Sequence, residues 1–300
     1  MNLSYTDEQN LLRDSVSKFC LSDYDFETRM KSVMSEKGHN EEHWKLFAEL
    51  GWLAIPFAEE HGGLDGNDVD LSLMFEEFGK AIVVEPYLAN VVLGGGILKR
   101  SDLEDRSKYI EGIISGESQI SLANYEPTKG FNLGNVDCEI SSDGNVNGLK
   151  TTVLNAQNAN YFVVFGKQGN SYAFALVSKD AEGLDCTSYK TYDGFVSGDV
   201  KFNNCKAEAV FSTSNALEIL EETILDGLIC VSSEAVGAME KCYQLTIEYT
   251  KQREQFGQPL SKFQALQHRM VDMFMEAEFT KSFLLKVLAT HEIDEKRKLI

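Results

Sequence analysis

Tyr249-Thr-Lys-Gln-Arg-Glu-Gln-Phe-Gly-Gln-Pro-Leu-Ser-Lys-Phe-Gln-Ala-Leu-Gln-His268 joins two long helical patterns through a Phe256-Gly257 break and Pro259. Two cations (Lys251, Arg253), three amides (Gln255, Gln264, Gln267) and two aromatics (Phe256, Phe263) crowd this corner. One reading is a plain helix stop, a loop and a restart at Ser261. The other is a site for an anionic, planar ligand, because a corner needs a Gly or Pro but not such a density of donors beside aromatics. Periodicity alone favours the first.

Upstream of the corner, Leu217, Leu220, Ile224 and Leu228 lead into the helical stretch 237–249. Downstream, Phe263, Leu266, Met270, Met273, Phe274, Ala277, Leu284 and Val287 fall on one face of a second long helix. Residues 291–300 read as a loop and a helix cut off as it starts, so the domain is expected to continue past residue 300.

Towards the N-terminus the period changes. Segments 118–123, 146–154, 161–165, 172–178 and 196–202 are short and rich in β-branched or aromatic residues, with turns such as Asp143-Gly144 and Asn147-Gly148 between them. Residues 1 to about 115 return to helical spacing: a capping box at Thr6–Gln9, then Leu11, Leu12, Val16 and Phe19. A charged irregular stretch follows, and then Trp44, Phe47 and Leu50 up to Gly51. Ala54-Ile-Pro56 reads as extended, 59–63 as a turn, and Leu71, Met74, Phe75 and Phe78 as a helix ending at Gly79. The expected architecture is a multi-domain α+β chain. It has an N-terminal helical domain (1–116), a middle antiparallel β-barrel or sandwich domain (117–212) and an incomplete C-terminal helical domain (213–300).

Composition narrows the function classes. The chain has 28 Lys and Arg against 47 Asp and Glu, a net charge of −19, which repels phosphate backbones and anionic headgroups. Nucleic acid and membrane insertion are therefore not expected. A small phosphorylated ligand in a local cationic pocket remains compatible. The six cysteines form no CxxC pair and are read as reduced thiols. No basic n-region and apolar h-region open the chain, and no uncharged run spans a bilayer, so a cytoplasmic location is expected. HExxH, GxSxG, GxGxxG and P-loop patterns are all absent, and no metal site is expected.

The order of domains and the corner together resemble the acyl-CoA dehydrogenase family. Leu50-Gly-Trp-Leu-Ala-Ile-Pro56 with Glu60-His-Gly-Gly-Leu64 is similar to its "LGW…P…E.GG" signature, and Phe75-Glu-Glu-Phe-Gly79 to "EE.G". Glu126-Pro127 and Asn147-Gly-Leu-Lys150 correspond to "TEP" and "NG.K". Arg253-Glu-Gln-Phe-Gly257 with Phe263-Gln264 corresponds to "R.QFG…FQ". Residues 237–268 look most like the small subunits of heteromeric members, pimeloyl-CoA dehydrogenase-like proteins among them.

The resemblance implies non-covalent FAD and α,β-dehydrogenation of an acyl-CoA thioester, with electrons leaving to an electron-transferring flavoprotein. By the family's register Arg253 contacts the FAD pyrophosphate across a subunit boundary, flanked by Gln255, Phe256, Phe263 and Gln264. Leu122, Asn124 and Tyr125 approach the flavin ring, with Thr152, Val153 and Leu154 behind it. For Val153 and Leu154, ordinary strand packing is an equal alternative. Three positions depart from the family pattern: Tyr125 replaces the Thr of "TEP", Thr152 the Trp of "K.W.T", and Gly227 with Leu228 stands at the alternative base position. Asp226 points about 100° around the helix from that position. The commoner catalytic Glu would follow residue 300, so no base is named. The chain is read as a subunit of a homo- or hetero-oligomeric acyl-CoA dehydrogenase, or alternatively as a non-catalytic partner subunit supplying FAD contacts. The identity of the acyl group is not legible.

Overall fold

A computed structural model describes residues 5–290. The C-terminal segment 291–300, read above as the start of a cut-off helix, lies outside the described residues. In chain order, helices α1 (Asp7–Ser22), α2 (Phe26–Met34), α3 (Glu41–Glu49), α4 (Asp68–Ala81), α5 (Gly95–Arg100) and α6 (Arg106–Ile114) precede the strands. These are β1 (Ile120–Ala123), β2 (Glu139–Ile140), β3 (Asn145–Leu154), β4 (Tyr161–Gln168), β5 (Ser171–Ser178), β6 (Leu184–Lys190), β7 (Val196–Lys206) and β8 (Ala209–Phe211). Helix α7 (Ala216–Gln252) leads to the two-residue strands β9 (Glu254–Gln255) and β10 (Gln258–Pro259) and then to α8 (Gln264–Leu288).

Two compact units run across this linear order. In the first, made of residues 5–29, 68–83 and 228–290, α1 packs on α4, and α4 crosses the second part of α7. The crossing has no room for side chains. A Cβ on Gly79 would lie 2.0 Å from the Glu234 carbonyl oxygen, and one on Gly237 would lie 1.9 Å from that of Glu76. Glu76 and Glu77 are buried beside it and are matched by Lys281 and Lys80, each at 2.8 Å. Along α8, Leu266, Met270 and Met273 are half-buried and Ala277, Leu284 and Val287 buried, which is the stripe the periodicity predicts. Phe274, expected on that stripe, is exposed and meets Tyr243 edge to face.

The second unit, residues 30–67 and 84–227, is built on one eight-stranded sheet in the order β6-β7-β3-β2-β4-β5-β8, with β1 added alongside β4. Its core comprises Ile140, Val146, Val153, Phe162, Val164, Ala175, Val200 and Phe202 with their neighbours. The sheet is mixed where an antiparallel one is expected: β1 and β2 both run parallel to β4. Neither reaches β4 through a hairpin, and a longer connection permits the parallel pairing. The hairpin at 161–178 does form, with Phe165 opposite Phe174.

Three local expectations are corrected. The charged stretch after α1 folds as α2, because Asp25 caps its first turn through Thr28 N at 2.8 Å. Ala54-Ile-Pro56 is not extended: Trp52–Ala54 form a 3-10 turn, and the Ile55 N–H donates to the Trp52 carbonyl. Helix α4 passes through Gly79 to Ala81, so that glycine serves a close helix approach rather than a stop. Leu11 and Leu50 also face outward.

Candidate functional site

The residues singled out in the sequence fall into two groups, one in each unit. The sheet carries the first. Strand β1 ends at Ala123, and the chain then turns outward through Asn124, Tyr125 and Glu126. A buried ion pair fixes that turn. Lys150 on β3 is 0% exposed, and its Nζ donates to Glu126 Oε1 at 2.7 Å and to the Asn124 carbonyl at 3.3 Å. Glu126 also accepts from the N–H groups of Asp137 (2.6 Å) and Cys138 (2.9 Å), so three backbone groups converge on one carboxylate and its lysine. Burial alone would raise the Glu126 pKa. The hydrogen bonds from Lys150 and the two backbone N–H groups outweigh it and hold the carboxyl below its ordinary value.

The same rim receives β3. The Thr151 N–H donates to the Tyr125 carbonyl at 2.9 Å. Between the pairs Lys150↔Val200 and Val153↔Gly198, both Thr151 and Thr152 stand opposite Asp199 alone, which is a β-bulge. Thr152 adopts φ 53°, a left-handed conformation that is an outlier for a β-branched residue. The bulge turns Thr152 outward while Val153, 2% exposed, joins the sheet core. Leu122 is buried, Leu154 half-buried and Tyr125 exposed. Asn124 is 8% exposed, and its Nδ2 has no hydrogen-bond partner among the described residues. A buried amide N–H without an acceptor is costly unless a ligand answers it.

The second group is the corner. Strands β9 and β10 pair as a minimal hairpin, Gln258 opposite Gln255. Its two turn residues, Phe256 and Gly257, both have positive φ, 56° and 79°. This is the geometry of a tight primed turn, natural for Gly and strained for Phe. Phe256 is 90% exposed and meets Phe263 edge to face at 6.1 Å. The Leu260 N–H closes on the Arg253 carbonyl at 2.8 Å, leaving the Arg253 guanidinium exposed and in no ion pair among the described residues. Gln255 and Gln264 are exposed as well. Helix α8 begins after Phe263 with no side-chain cap, which leaves the N–H groups of Gln264 and Ala265 without an acceptor among the described residues, a disposition suited to an anion. The corner thus displays a cation, a helix N-terminus, two amides and an aromatic pair.

Gly227 and Asp226 belong to the sheet-bearing unit. A Cβ on Gly227 would lie 2.9 Å from Leu93 Cδ2, so Leu93 fills the space beside it. Asp226 accepts from Arg100 at 2.7 Å and lies 3.8 Å from Lys99; it is held in an ion-pair cluster that also ties Arg100 to Glu222. Leu93 lies on a π-helical stretch, Leu88–Gly94, a form often found at functional sites. Among the described residues no group of His, Cys, Asp and Glu could hold a metal ion, and no helix is long and apolar enough to cross a membrane.

Sequence reasoning missed Asp199. It stands 47 residues from Thr152, in a strand where an acidic residue on a half-exposed face gives no signal of its own. The positive φ of Thr152 was equally invisible.

Comparison with known proteins gives matches at both ends. Residues 6–117 match the acyl-CoA dehydrogenase N-terminal domain and residues 217–298 the acyl-CoA dehydrogenase C-terminal domain. The chain is 28% identical to the probable acyl-CoA dehydrogenase YngJ of Bacillus subtilis, over 95% of this chain and 80% of that protein. Among solved structures, the FAD complex of PigA superposes with a TM-score of 0.87 at 22% identity, covering 97% of this chain and 80% of that one. The ChsE4–ChsE5 complex from Mycobacterium tuberculosis gives 0.85 at 22% identity, covering 96% and 78%.

Proposed function

The chain belongs to the acyl-CoA dehydrogenase family, and we propose that its rim and corner serve the family's FAD-dependent α,β-dehydrogenation of an acyl-CoA thioester. When bound, FAD supplies the hydride acceptor that oxidation at an unactivated carbon requires. The observation that carries the reading is the buried, unanswered Nδ2 of Asn124 on a rim locked by Glu126 and Lys150. A flavin ring offers carbonyl and ring-nitrogen acceptors to such a donor. Leu122, Tyr125, Thr152 and Leu154 give the ring an edge of mixed character, and Val153 supports them from the core.

At the corner, Arg253 and the open N-terminus of α8 suit the pyrophosphate, since a guanidinium binds phosphate oxygens bidentately. Phe256, Phe263, Gln255 and Gln264 suit the adenine half. The corner serves the flavin of a neighbouring subunit, so the working form is an oligomer of this chain or of this chain with a second acyl-CoA dehydrogenase-like subunit. Electrons then leave to an electron-transferring flavoprotein.

A second reading, a partner subunit whose mate carries the base, is favoured by one observation. Position 227 offers no side chain, and the adjacent Asp226 is bound up with Arg100. Purification of the chain, alone and with an acyl-CoA dehydrogenase-like partner, followed by visible spectroscopy, tests both. Absence of flavin bands in both preparations overturns the proposal. Bleaching by an acyl-CoA under anaerobic conditions is expected for a catalytic subunit, and unbleached flavin in the chain alone selects the partner role.

A further inference from the structure

We propose that Asp199 is a positioning residue for the flavin-facing rim: it holds the β3 bulge that decides which side chains the rim presents. The inference rests on the FAD reading above and adds to it a residue that none of the sequence motifs quoted above contains.

Three donors meet one atom. Asp199 Oδ1 accepts from Thr151 Oγ1 at 2.6 Å, from the Thr152 N–H at 3.2 Å and from Tyr189 OH at 3.0 Å. The first two come from the two bulged residues, and the third from the neighbouring strand β6. The Thr151 hydrogen bond, with those from the Thr152 N–H and Tyr189, holds the carboxyl below its ordinary value, so it is ionised at neutral pH. A charged acceptor makes these bonds stronger than neutral ones.

Such a clamp is needed because the bulge is locally unfavourable. It places a threonine at φ 53° and leaves one residue of β3 without a ladder partner. Without the clamp, β3 can regain regular pairing with β7 only by shifting one residue. In a strand a one-residue shift exchanges faces, so Val153 would leave the core or Thr152 would enter it. The carbonyl of Tyr125, held by the Thr151 N–H, would lose its partner at the same time. Asp199 therefore acts on the flavin-facing edge through Thr151 and Thr152, without needing to touch the cofactor.

The test uses the full chain, as purified apoprotein. FAD is titrated against wild type, Asp199→Ala, Asp199→Asn and Thr151→Val, following flavin fluorescence and the visible spectrum. Amide hydrogen exchange at Thr152 is read in the absence of FAD. Asp199→Ala is expected to raise the FAD Kd about tenfold or more, the effect of losing hydrogen bonds to a charged acceptor. It should also shift the bound-flavin bands and speed exchange at Thr152. Asp199→Asn keeps a carbonyl oxygen at the same place and is expected to stay within about threefold of wild type. Thr151→Val, which removes one bond only, gives a smaller change in the same direction and replaces Asp199→Ala should that variant not fold. Wild-type Kd, spectrum and Thr152 exchange in Asp199→Ala, or in Thr151→Val where it stands in, would overturn the inference and leave the FAD reading intact. A wild-type chain that takes up no FAD under any condition overturns the FAD reading, and the inference falls with it.

Discussion

Lys150 Nζ lies 2.7 Å from Glu126 Oε1 in the interior of the sheet-bearing unit, with both side chains almost wholly removed from water. Breaking a pair of this kind leaves an uncompensated buried charge, which costs about 3–5 kcal/mol. Lys150→Met is therefore expected to destabilise strongly, and Glu126→Gln/Lys150→Met to recover part of the loss. Urea unfolding of the three proteins checks it; equal stability of single and double variants would contradict it. Because the folded Glu126 pKa is depressed, its contribution is full above the ordinary carboxylate pKa and is lost as pH falls through the folded value. Acid unfolding of wild type should show this loss, and Glu126→Gln should lack it.

Gly237 and Gly227 lie on the same helix, yet alanine is expected to have different effects at the two. At Gly237 the new Cβ meets a backbone carbonyl at 1.9 Å, so α4 and α7 must separate; overpacking of this sort costs about 1–3 kcal/mol. At Gly227 it meets the tip of a leucine, which can turn aside, and the helix propensity gained on leaving glycine is worth about 1 kcal/mol. Thermal unfolding should show a lowered midpoint for Gly237→Ala and little change for Gly227→Ala.

Phe256→Gly should separate stability from ligand binding. Relief of positive φ at this exposed turn is expected to stabilise the apoprotein by up to about 1 kcal/mol. Retention of FAD through gel filtration should fall in the same variant. Arg253→Ala should leave the unfolding midpoint unchanged, since the side chain is exposed, while weakening FAD about tenfold or more through loss of a charge-assisted contact. A Phe256→Gly protein that keeps wild-type flavin stoichiometry would remove the ring from the site.

Thiol chemistry gives a prediction independent of any cofactor. Burial pushes the Cys138 thiol up to about 11, and Cys205 is raised for the same reason, whereas Cys242 is exposed on α7. An aromatic disulfide reagent at pH 8 should label Cys242 rapidly and Cys138 and Cys205 only after unfolding. Peptide mapping of the labelled protein identifies the sites.

The parts of the fold legible in the sequence were those with strong periodicity. The α8 stripe apart from Phe274, the 161–178 hairpin and the helix break after Gln252 stand where their patterns put them, while the second helix starts at Gln264 rather than Ser261. Strand β6 was not legible, because Leu184–Lys190 is mostly exposed and shows no alternation of apolar residues. Strand β2 has only two residues. Helix α2 was masked by charge, its start fixed by one capping aspartate rather than by an apolar face. At the site, motifs located Lys150 and Glu126 but not that they bond to each other, a relationship spanning 24 positions. Nothing local marks Thr152 as left-handed, since its backbone is set by Asp199 from another strand.

The pairing order of the sheet fixes when the rim can exist during synthesis. Strand β1 finds its strand partner only in β4, some forty residues later, and the bulge of β3 waits for Asp199 on β7. Non-local pairings of this kind form slowly, and no earlier than their last member. A ribosome releasing about 5–20 residues per second has therefore to deliver β7 before the bulge of β3 is held, although the Glu126–Lys150 lock needs only β3. Until then the Thr152 N–H has no Asp199 to bond. Whatever needs the bulged edge of the rim can be taken up only after β7, Val196–Lys206, has been made.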